Sequence, residues 1–124
     1  MKLFTKEIEA KAQAQYPLGA DMEKQVIVAK FFNPSGAGTW WLMNQDPNDP
    51  DYLWGVVDLF ETEVGSFSKS ELENYVGVYG LGIERDIYFE EVNAKVLFER
   101  LMGKWKVSEG NSNLIIQRNY NNFH

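Results

Sequence analysis

Three carboxylates are the side chains of this chain whose types and spacing could do chemistry. Asp58 lies within an apolar run of strand length, LWGVVDLF at 53–60, Glu61 follows that run directly, and Asp86 follows Arg85. Two or three carboxylates on one face of a fold can bind Mg²⁺ or act as a general acid and base. A carboxylate-based hydrolase, with or without Mg²⁺, is therefore one candidate function, and Asp58, Glu61 and Asp86 would be its reactive groups.

A structural role for the same residues is the interpretation that we favour. A carboxylate within a buried strand is costly unless it is paired, so Asp58 is expected to be mostly buried and to face a cation or backbone donors. Arg85 and Lys30 are the available partners. Asp58, Arg85 and Asp86 are accordingly assigned structural polar roles, and no catalytic residue is assigned.

The composition excludes several other kinds of site. The chain has no cysteine, and its only histidine is His124, so thiolate zinc sites, disulfides and Ser-His-Asp chemistry are not expected. The glycine-rich segment 33–38 lacks the Gly-Lys-Ser/Thr ending of a phosphate loop. The glycines at 77–82 do not open a helix after a strand, as a dinucleotide fingerprint does. We expect neither a metal ion nor a cofactor.

The distribution of charge favours a basic protein as the partner. The formal net charge is −6, and no lysine or arginine occurs between Phe31 and Ser68. The acidic residues of that stretch are candidates for a binding surface, although a solvated face that aids solubility is the simpler alternative. The binding candidates are Asp46, Asp49, Asp51, Glu61 and Glu63. Duplex nucleic acid is not an expected partner, because phosphate binding requires clustered cations.

No membrane interaction is expected either. No apolar segment approaches the ~20 residues of a membrane span. The first apolar residues, up to Phe4, give way to charged ones, which is unlike a signal peptide. A cytoplasmic protein that is a monomer or a weak homodimer is the resulting expectation.

The pattern of apolar residues predicts an α+β fold with a mostly antiparallel sheet of about five strands. The predicted strands are 25–32, 39–43, 53–60, 64–67 and 85–89. The first two form a hairpin around the loop at 33–38. The segment 44–52 contains two prolines and three aspartates and is predicted to be a surface connection.

Three helices complete the prediction. Thr5 caps an N-terminal helix that Pro17 ends, and Ser68 caps a short helix. Asn93 caps an amphipathic helix that Gly103 ends. Its apolar stripe is expected to pack on the protein's own sheet and consists of Ala94, Leu97, Phe98, Leu101, Met102 and Trp105. Residues 1–112 are predicted to be a single domain, with 113–124 an edge strand or partly ordered tail that includes the strand-like piece 114–117.

Four blocks of the sequence resemble a known family. They are KLFTKEIEAK, AKFFNPSGAGTWW, GVVDLFETEVGSFSKSEL and GLGIERDIYF, within residues 2–90. In their order and composition they resemble the bacterial family named "domain of unknown function 2958", with the helix and tail after residue 90 beyond the family core. The resemblance implies a bacterial protein encoded on plasmids and other mobile elements, and it implies no activity. A small acidic, non-catalytic accessory or protein-interaction protein is thus the favoured function, and a DNA-mimic inhibitor would be its most specific form.

Overall fold

The structure is a computed structural model that describes residues 2–103. Trp105, the predicted strand at 114–117 and the predicted tail at 113–124 lie outside the described residues. The helices are α1 (Lys6–Gln15), α2 (Lys69–Asn74) and α3 (Ala94–Met102). Within the described range, no helix has the length and apolar character needed to cross a bilayer.

Seven strands of the described range form two antiparallel sheets. The strands are β1 (Val26–Ile27), β2 (Ala29–Phe32), β3 (Thr39–Asp46), β4 (Asp49–Asp58), β5 (Thr62–Ser68), β6 (Glu84–Arg85) and β7 (Val92–Asn93). Five of them form the main sheet in the order β5-β4-β3-β2-β6, and β1 pairs with β7 in a small second sheet. The predicted α+β fold with a five-stranded antiparallel sheet is confirmed.

Helix α1 packs on one face of the main sheet. It begins where Thr5 Oγ1 accepts a hydrogen bond from the Ile8 amide at 3.1 Å, and it ends at Gln15, two residues before Pro17. The core on this face is formed by Phe4, Ala12, Val28, Ala29, Phe31, Leu42, Leu53, Leu72 and Ile83. The predicted cap and stop signals are therefore both observed.

Helix α3 covers the opposite face of the sheet, as its apolar stripe predicts. Asn93 Oδ1 accepts a hydrogen bond from the Val96 amide, and Gly103 ends the helix with a left-handed backbone (φ 71°). The core on this face is formed by Ile27, Trp41, Met43, Val56, Ala94, Leu97 and Leu101. Met102 is the exception in the described part of the stripe, because 47% of its surface is exposed.

The segment 44–52 is a second hairpin, so the prediction of a surface connection there is wrong. Strand β3 continues to Asp46, and β4 begins at Asp49 after a two-residue turn. Asp46 Oδ1 fixes that turn by accepting a hydrogen bond from the Asn48 amide at 2.8 Å. Pro50 lies where the register between β3 and β4 shifts, and a proline is tolerated at such an irregularity because no ladder amide is needed there.

The predicted strand at 85–89 is much shorter than expected. Strand β6 consists of Glu84–Arg85 only, and Asp86 then turns the chain. The Asp86 carboxylate accepts a hydrogen bond from the Tyr88 amide at 3.0 Å. The backbone carbonyl oxygen of Asp86 accepts another from the Phe89 amide at 3.2 Å. An aspartate side chain that bonds two residues ahead favours a turn over a strand.

Candidate functional site

Asp58 occupies the end of a strand and not its middle. It is the last residue of β4, it is partly buried, and the next two residues of the chain are exposed. Neither of the two cations that were available partners, Lys30 and Arg85, forms an ion pair with Asp58. Lys30 forms an ion pair with Asp86 (3.8 Å), and the Arg85 guanidinium donates to the Lys2 carbonyl oxygen at 3.1 Å.

The three carboxylates of the candidate hydrolase do not converge. The Asp86 amide donates to the Lys30 carbonyl oxygen, which places Asp86 beyond β2, at the β6 edge. Strand β4, which carries Asp58, is three strand spacings away in the sheet order, roughly 14 Å. Glu61 lies in the turn between β4 and β5. Residues 2–103 contain no group of three or more acidic or histidine side chains placed to hold a metal ion.

Two of the five acidic binding candidates have structural contacts. Asp46 accepts a hydrogen bond from the Tyr16 hydroxyl at 3.2 Å, besides fixing its own turn. Asp51 caps α2 from outside, since it accepts hydrogen bonds from the Ser70 amide (2.7 Å) and the Ser68 hydroxyl (2.8 Å). These hydrogen bonds hold the pKa of Asp51 below its usual value, and the bond from the Ser70 amide contributes most.

The other three candidates, Asp49, Glu61 and Glu63, are exposed and lie along one edge of the main sheet. That edge is β5, and within the described residues β5 pairs only with β4. A pocket of about 370 Å³ opens beside it on the α1 face of the sheet. Its lining combines apolar side chains with two carboxylates and comprises Trp40, Val57, Leu59, Glu63, Gly65, Ser66, Phe67, Ser68, Glu71, Leu72, Tyr75 and Ile83.

A second, shallower pocket of about 260 Å³ continues along the same strand. It shares Ser66, Phe67, Ser68 and Glu71 with the first, and its further lining residues are Asp49, Asp51 and Tyr52. We call the two pockets together the β5 groove. No lysine, arginine or histidine of residues 2–103 lines either pocket, and four carboxylates do: Asp49, Asp51, Glu63 and Glu71.

Large apolar side chains stand in solvent at one end of the groove. Phe60, in the turn between β4 and β5, is 100% exposed, and Tyr79, in the loop between α2 and β6, is 94% exposed. The Asn33 side chain donates to the Tyr75 hydroxyl at 3.2 Å, which ties this loop to the β2–β3 loop at the same end of the sheet. We define the apolar rim as Leu59, Phe60, Tyr75, Val76 and Tyr79, all of them exposed.

Lys69, which precedes the groove residues of α2, is already neutralised. Its ammonium group lies 2.8 Å from Glu9 Oε2, and each side chain is about three-quarters buried (24% and 23% exposed). The amide of the buried Gln45 donates to the same oxygen at 2.8 Å. Burial alone would raise the pKa of Glu9, but the hydrogen bonds from Lys69 and Gln45 outweigh it and lower the pKa below 4.5.

Replacing Glu9 with glutamine is expected to lower the free energy of unfolding by about 1–3 kcal/mol at neutral pH, as loss of a hydrogen-bonded charge does. Because the pKa of Glu9 is lower in the folded than in the unfolded chain, its contribution is complete above about pH 4.5 and is lost as the pH falls through the folded value. Urea unfolding of both proteins from pH 7 to pH 3 should therefore show the difference shrinking in acid.

Glu7→Gln is the matched control for that measurement. Glu7 is on the same helix, its side chain is 79% exposed, and it pairs with Lys11 at 3.4 Å. Such an exposed pair contributes under about 0.5 kcal/mol. Equal losses in the two variants, or a Glu9 difference that does not change with pH, would show that the Glu9 cluster adds no stability.

The sequence indicated acidic residues as binding candidates but did not indicate the β5 groove. Glu63 was a candidate, whereas Gly65, Phe67 and Glu71 were not. The one signal that could have indicated them is Gly65, because a glycine within a strand often marks the close approach of another backbone or a ligand. Locating the groove also required knowing that β5 is an edge strand. The order of strands in a sheet does not follow from the sequence alone.

Comparison with known proteins gives a family and no activity. A family model described as "Protein of unknown function (DUF2958)" matches residues 3–99. No curated protein and no solved structure matches the chain. The match includes most of α3, so the expectation that this helix lies beyond the family core is wrong. The chain belongs to the DUF2958 family of proteins of unknown function.

Proposed function

We propose that this protein is a non-catalytic interaction module that binds a basic segment of another protein through the β5 groove and its apolar rim. The observation that carries the proposal is that two exposed apolar side chains, Leu59 and Tyr75, line a pocket whose lining, among the described residues, has carboxylates and no cation, while Phe60, next to Leu59 in the chain, is 100% exposed. Exposed apolar clusters with a polar border are typical of surfaces that bind other proteins.

The apolar rim supplies the affinity in this proposal. Aromatic side chains dominate the energetics of protein interfaces, because they bury a large area with little loss of conformational freedom. Phe60 and Tyr79 contribute nothing to the core, since almost all of each side chain is in solvent. An interaction surface gives these two side chains a role that the fold does not.

In this proposal the carboxylates make the surface selective for basic partners. The formal net charge of −6 and the absence of cations from residues 31–68 make this part of the surface attractive to lysine and arginine side chains. Complementary charge speeds encounter and excludes acidic competitors. A bacterial cytoplasm that contains a mobile element is the setting we propose, following the family resemblance.

Duplex nucleic acid is not part of the proposal. Five of the described lysines form ion pairs with carboxylates: Lys11, Lys24, Lys30, Lys69 and Lys95. Cations that are already paired contribute little to phosphate binding. The separation of Asp58 from Asp86 likewise gives no support to the hydrolase alternative.

The proposal is tested by panning a random peptide display library against the immobilised full chain at ~150 mM salt. We expect enrichment of peptides that combine lysine or arginine with aromatic or large aliphatic residues. The double variant Phe60→Ser, Tyr79→Ser should bind the enriched peptides at least about tenfold more weakly, because two apolar anchors are lost.

The matched control is the double variant Ile87→Ser, Tyr88→Ser. Both residues are exposed, and they lie beyond β6, at the opposite edge of the main sheet. Binding by this control should be unchanged. Absence of any enriched peptide, enrichment of acidic peptides, or an equal loss of binding in the two double variants would each contradict the proposal.

A further inference from the structure

We infer that the partner segment binds as an added β-strand on the edge of β5 with which no strand of residues 2–103 pairs, and that one of its apolar side chains enters the 370 Å³ pocket. The inference rests on the proposed function and specifies the conformation and chemistry of the ligand: an extended peptide with lysine or arginine beside an apolar anchor. Strand addition takes affinity from backbone hydrogen bonds and selectivity from pockets for alternate side chains.

The first support is the unprotected state of the edge. Strand β5 is seven residues long and pairs with β4 in an unbroken register from Ser68 to Thr62. Lysine, proline and bulges usually prevent a further strand from pairing, and β5 contains none of them; its one charged side chain is Glu63, which lines the pocket. The other edge of the sheet, β6, is only two residues long. Within the described residues, the main sheet therefore offers one long edge for pairing.

The second support is an open position in the middle of that edge. A Cβ atom on Gly65 would have no heavy atom of the described chain within 4 Å. Successive side chains of a strand alternate between faces, so Gly65 shares the pocket face with Glu63 and Phe67. A glycine between two larger residues leaves room for a side chain from a neighbouring strand, and that side chain would enter the pocket directly.

The third support is the size and lining of the pocket. Its volume lies within the range of sites that take small ligands, roughly 300–1,000 Å³. The apolar part of the lining, formed by Trp40, Val57, Leu72 and Ile83, suits a phenylalanine or leucine side chain. An anchor of that kind is typical of a strand-addition site.

Charge complementarity fixes the rest of the ligand. Glu63 and Glu71 line the pocket that receives the anchor, and Asp49 lines the shallower one further along the strand. Cationic residues two positions before and after the anchor share its face of the strand and would meet these carboxylates. An acidic or neutral peptide would leave them unpaired, so a basic segment is favoured over others that have the same apolar anchor.

The test uses the ¹⁵N-labelled full chain and two synthetic peptides. One is Thr-Lys-Thr-Phe-Thr-Lys-Thr, in which both lysines share a face with the phenylalanine, and the other has the same sequence with alternate backbone amides methylated. Methylation removes the donors needed for strand pairing and keeps charge and apolarity. We expect the first peptide to slow amide hydrogen exchange in Thr62–Ser68 and the methylated one to bind at least about tenfold more weakly.

A variant of the open position gives an independent measurement. Gly65→Val fills the space that the anchor would use, and it should weaken binding of the unmethylated peptide at least about tenfold. Its thermal unfolding temperature should not fall, because a Cβ atom at this position has no described heavy atom within 4 Å and valine is favoured over glycine in a strand. Full binding by this variant would contradict the inference.

The outcomes separate this inference from the proposed function. Equal binding of both peptides, with changes confined to the apolar rim, would overturn strand addition and leave the interaction module intact. Failure of both peptides to bind at millimolar concentration would overturn strand addition, while the library selection decides the proposed function. Protection, in the free chain, of the β5 amides that point away from β4 would mean that the edge is already covered, by this chain or a second copy, and would also overturn the inference.

Discussion

Gly55→Ala is expected to lower the free energy of unfolding by about 3 kcal/mol or more, the largest effect that we expect of a single methyl group in this protein. Gly55 lies in β4, in the centre of the main sheet. A Cβ atom there would be in severe overlap with the Trp41 carbonyl oxygen and 3.1 Å from the Met43 amide nitrogen. Both are backbone atoms of the neighbouring strand β3, and they cannot move aside as the end of a flexible side chain could.

Gly65→Ala is the control, because Gly65 is the cross-strand partner of Gly55 and an added Cβ there meets no described atom within 4 Å. Its stability should change by less than about 0.5 kcal/mol. Urea unfolding of the two variants beside the parent protein measures both effects. Similar losses at the two glycines would mean that the clash at Gly55 is relieved by a shift of β3.

Gln25→Met is expected to lower the free energy of unfolding by about 2–4 kcal/mol, because it removes three hydrogen bonds of a completely buried side chain while preserving its volume. Gln25 is completely buried. Its Nε2 donates to the carbonyl oxygens of Gly19 (3.0 Å) and Asp21 (2.9 Å), and its Oε1 accepts from the Asn44 amide (2.8 Å). One side chain thus joins the segment after α1 to β3.

Gln13→Met provides the comparison for this second variant. The Gln13 amide donates to Gln45 Oε1 at 2.9 Å, the one hydrogen bond of its side chain that we identify within residues 2–103, and Gln13 is only partly buried. It should lose about 1–2 kcal/mol, less than Gln25→Met, because one hydrogen bond to the buried Gln45 is lost and not three. Denaturant midpoints at matched protein concentration provide the measurement. If the two methionine variants are equally stable, the bonds of Gln25 are replaced by other contacts in its absence.

The helix ends could be predicted because each depends on a few adjacent residues. Thr5, Ser68 and Asn93 are small polar residues placed before apolar periodic segments, and all three accept the capping hydrogen bonds that their positions predict. Gly103 likewise adopts the left-handed conformation expected of a helix end. Local chemistry decides these features, so tertiary contacts do not alter them.

The strands were predicted less accurately, because pairing decides their lengths. Pro47 and Pro50 indicated a loop, yet pairing of β3 with β4 carries both strands through to a two-residue turn between Asp46 and Asp49. Conversely, RDIYF has the composition of a strand, but the side chain of Asp86 ends β6 after two residues. Propensity is outweighed by hydrogen-bond partners in both cases.

The candidate site was likewise predictable only in part. The excess of acidic residues was evident from composition, whereas the pocket against which Glu63 and Glu71 lie was not. It is formed by Trp40 from β3, Leu72 from α2 and Ile83 from before β6, and only the folded sheet brings these positions together. The apolar run that contains Asp58 similarly looked continuous in sequence, although β4 ends at that residue.

The connection between α2 and β6 is a point at which the chain could be cut into two fragments. Tyr79 stands in solvent there with a left-handed backbone (φ 60°), at the point where the chain has finished strands β1 to β5. The remaining described elements pack back on those strands, with β6 on β2, β7 on β1, and α3 on the sheet. A chain opened beside Tyr79 would thus yield two fragments with complementary surfaces, which is the arrangement of a split protein whose halves reassemble without a covalent link.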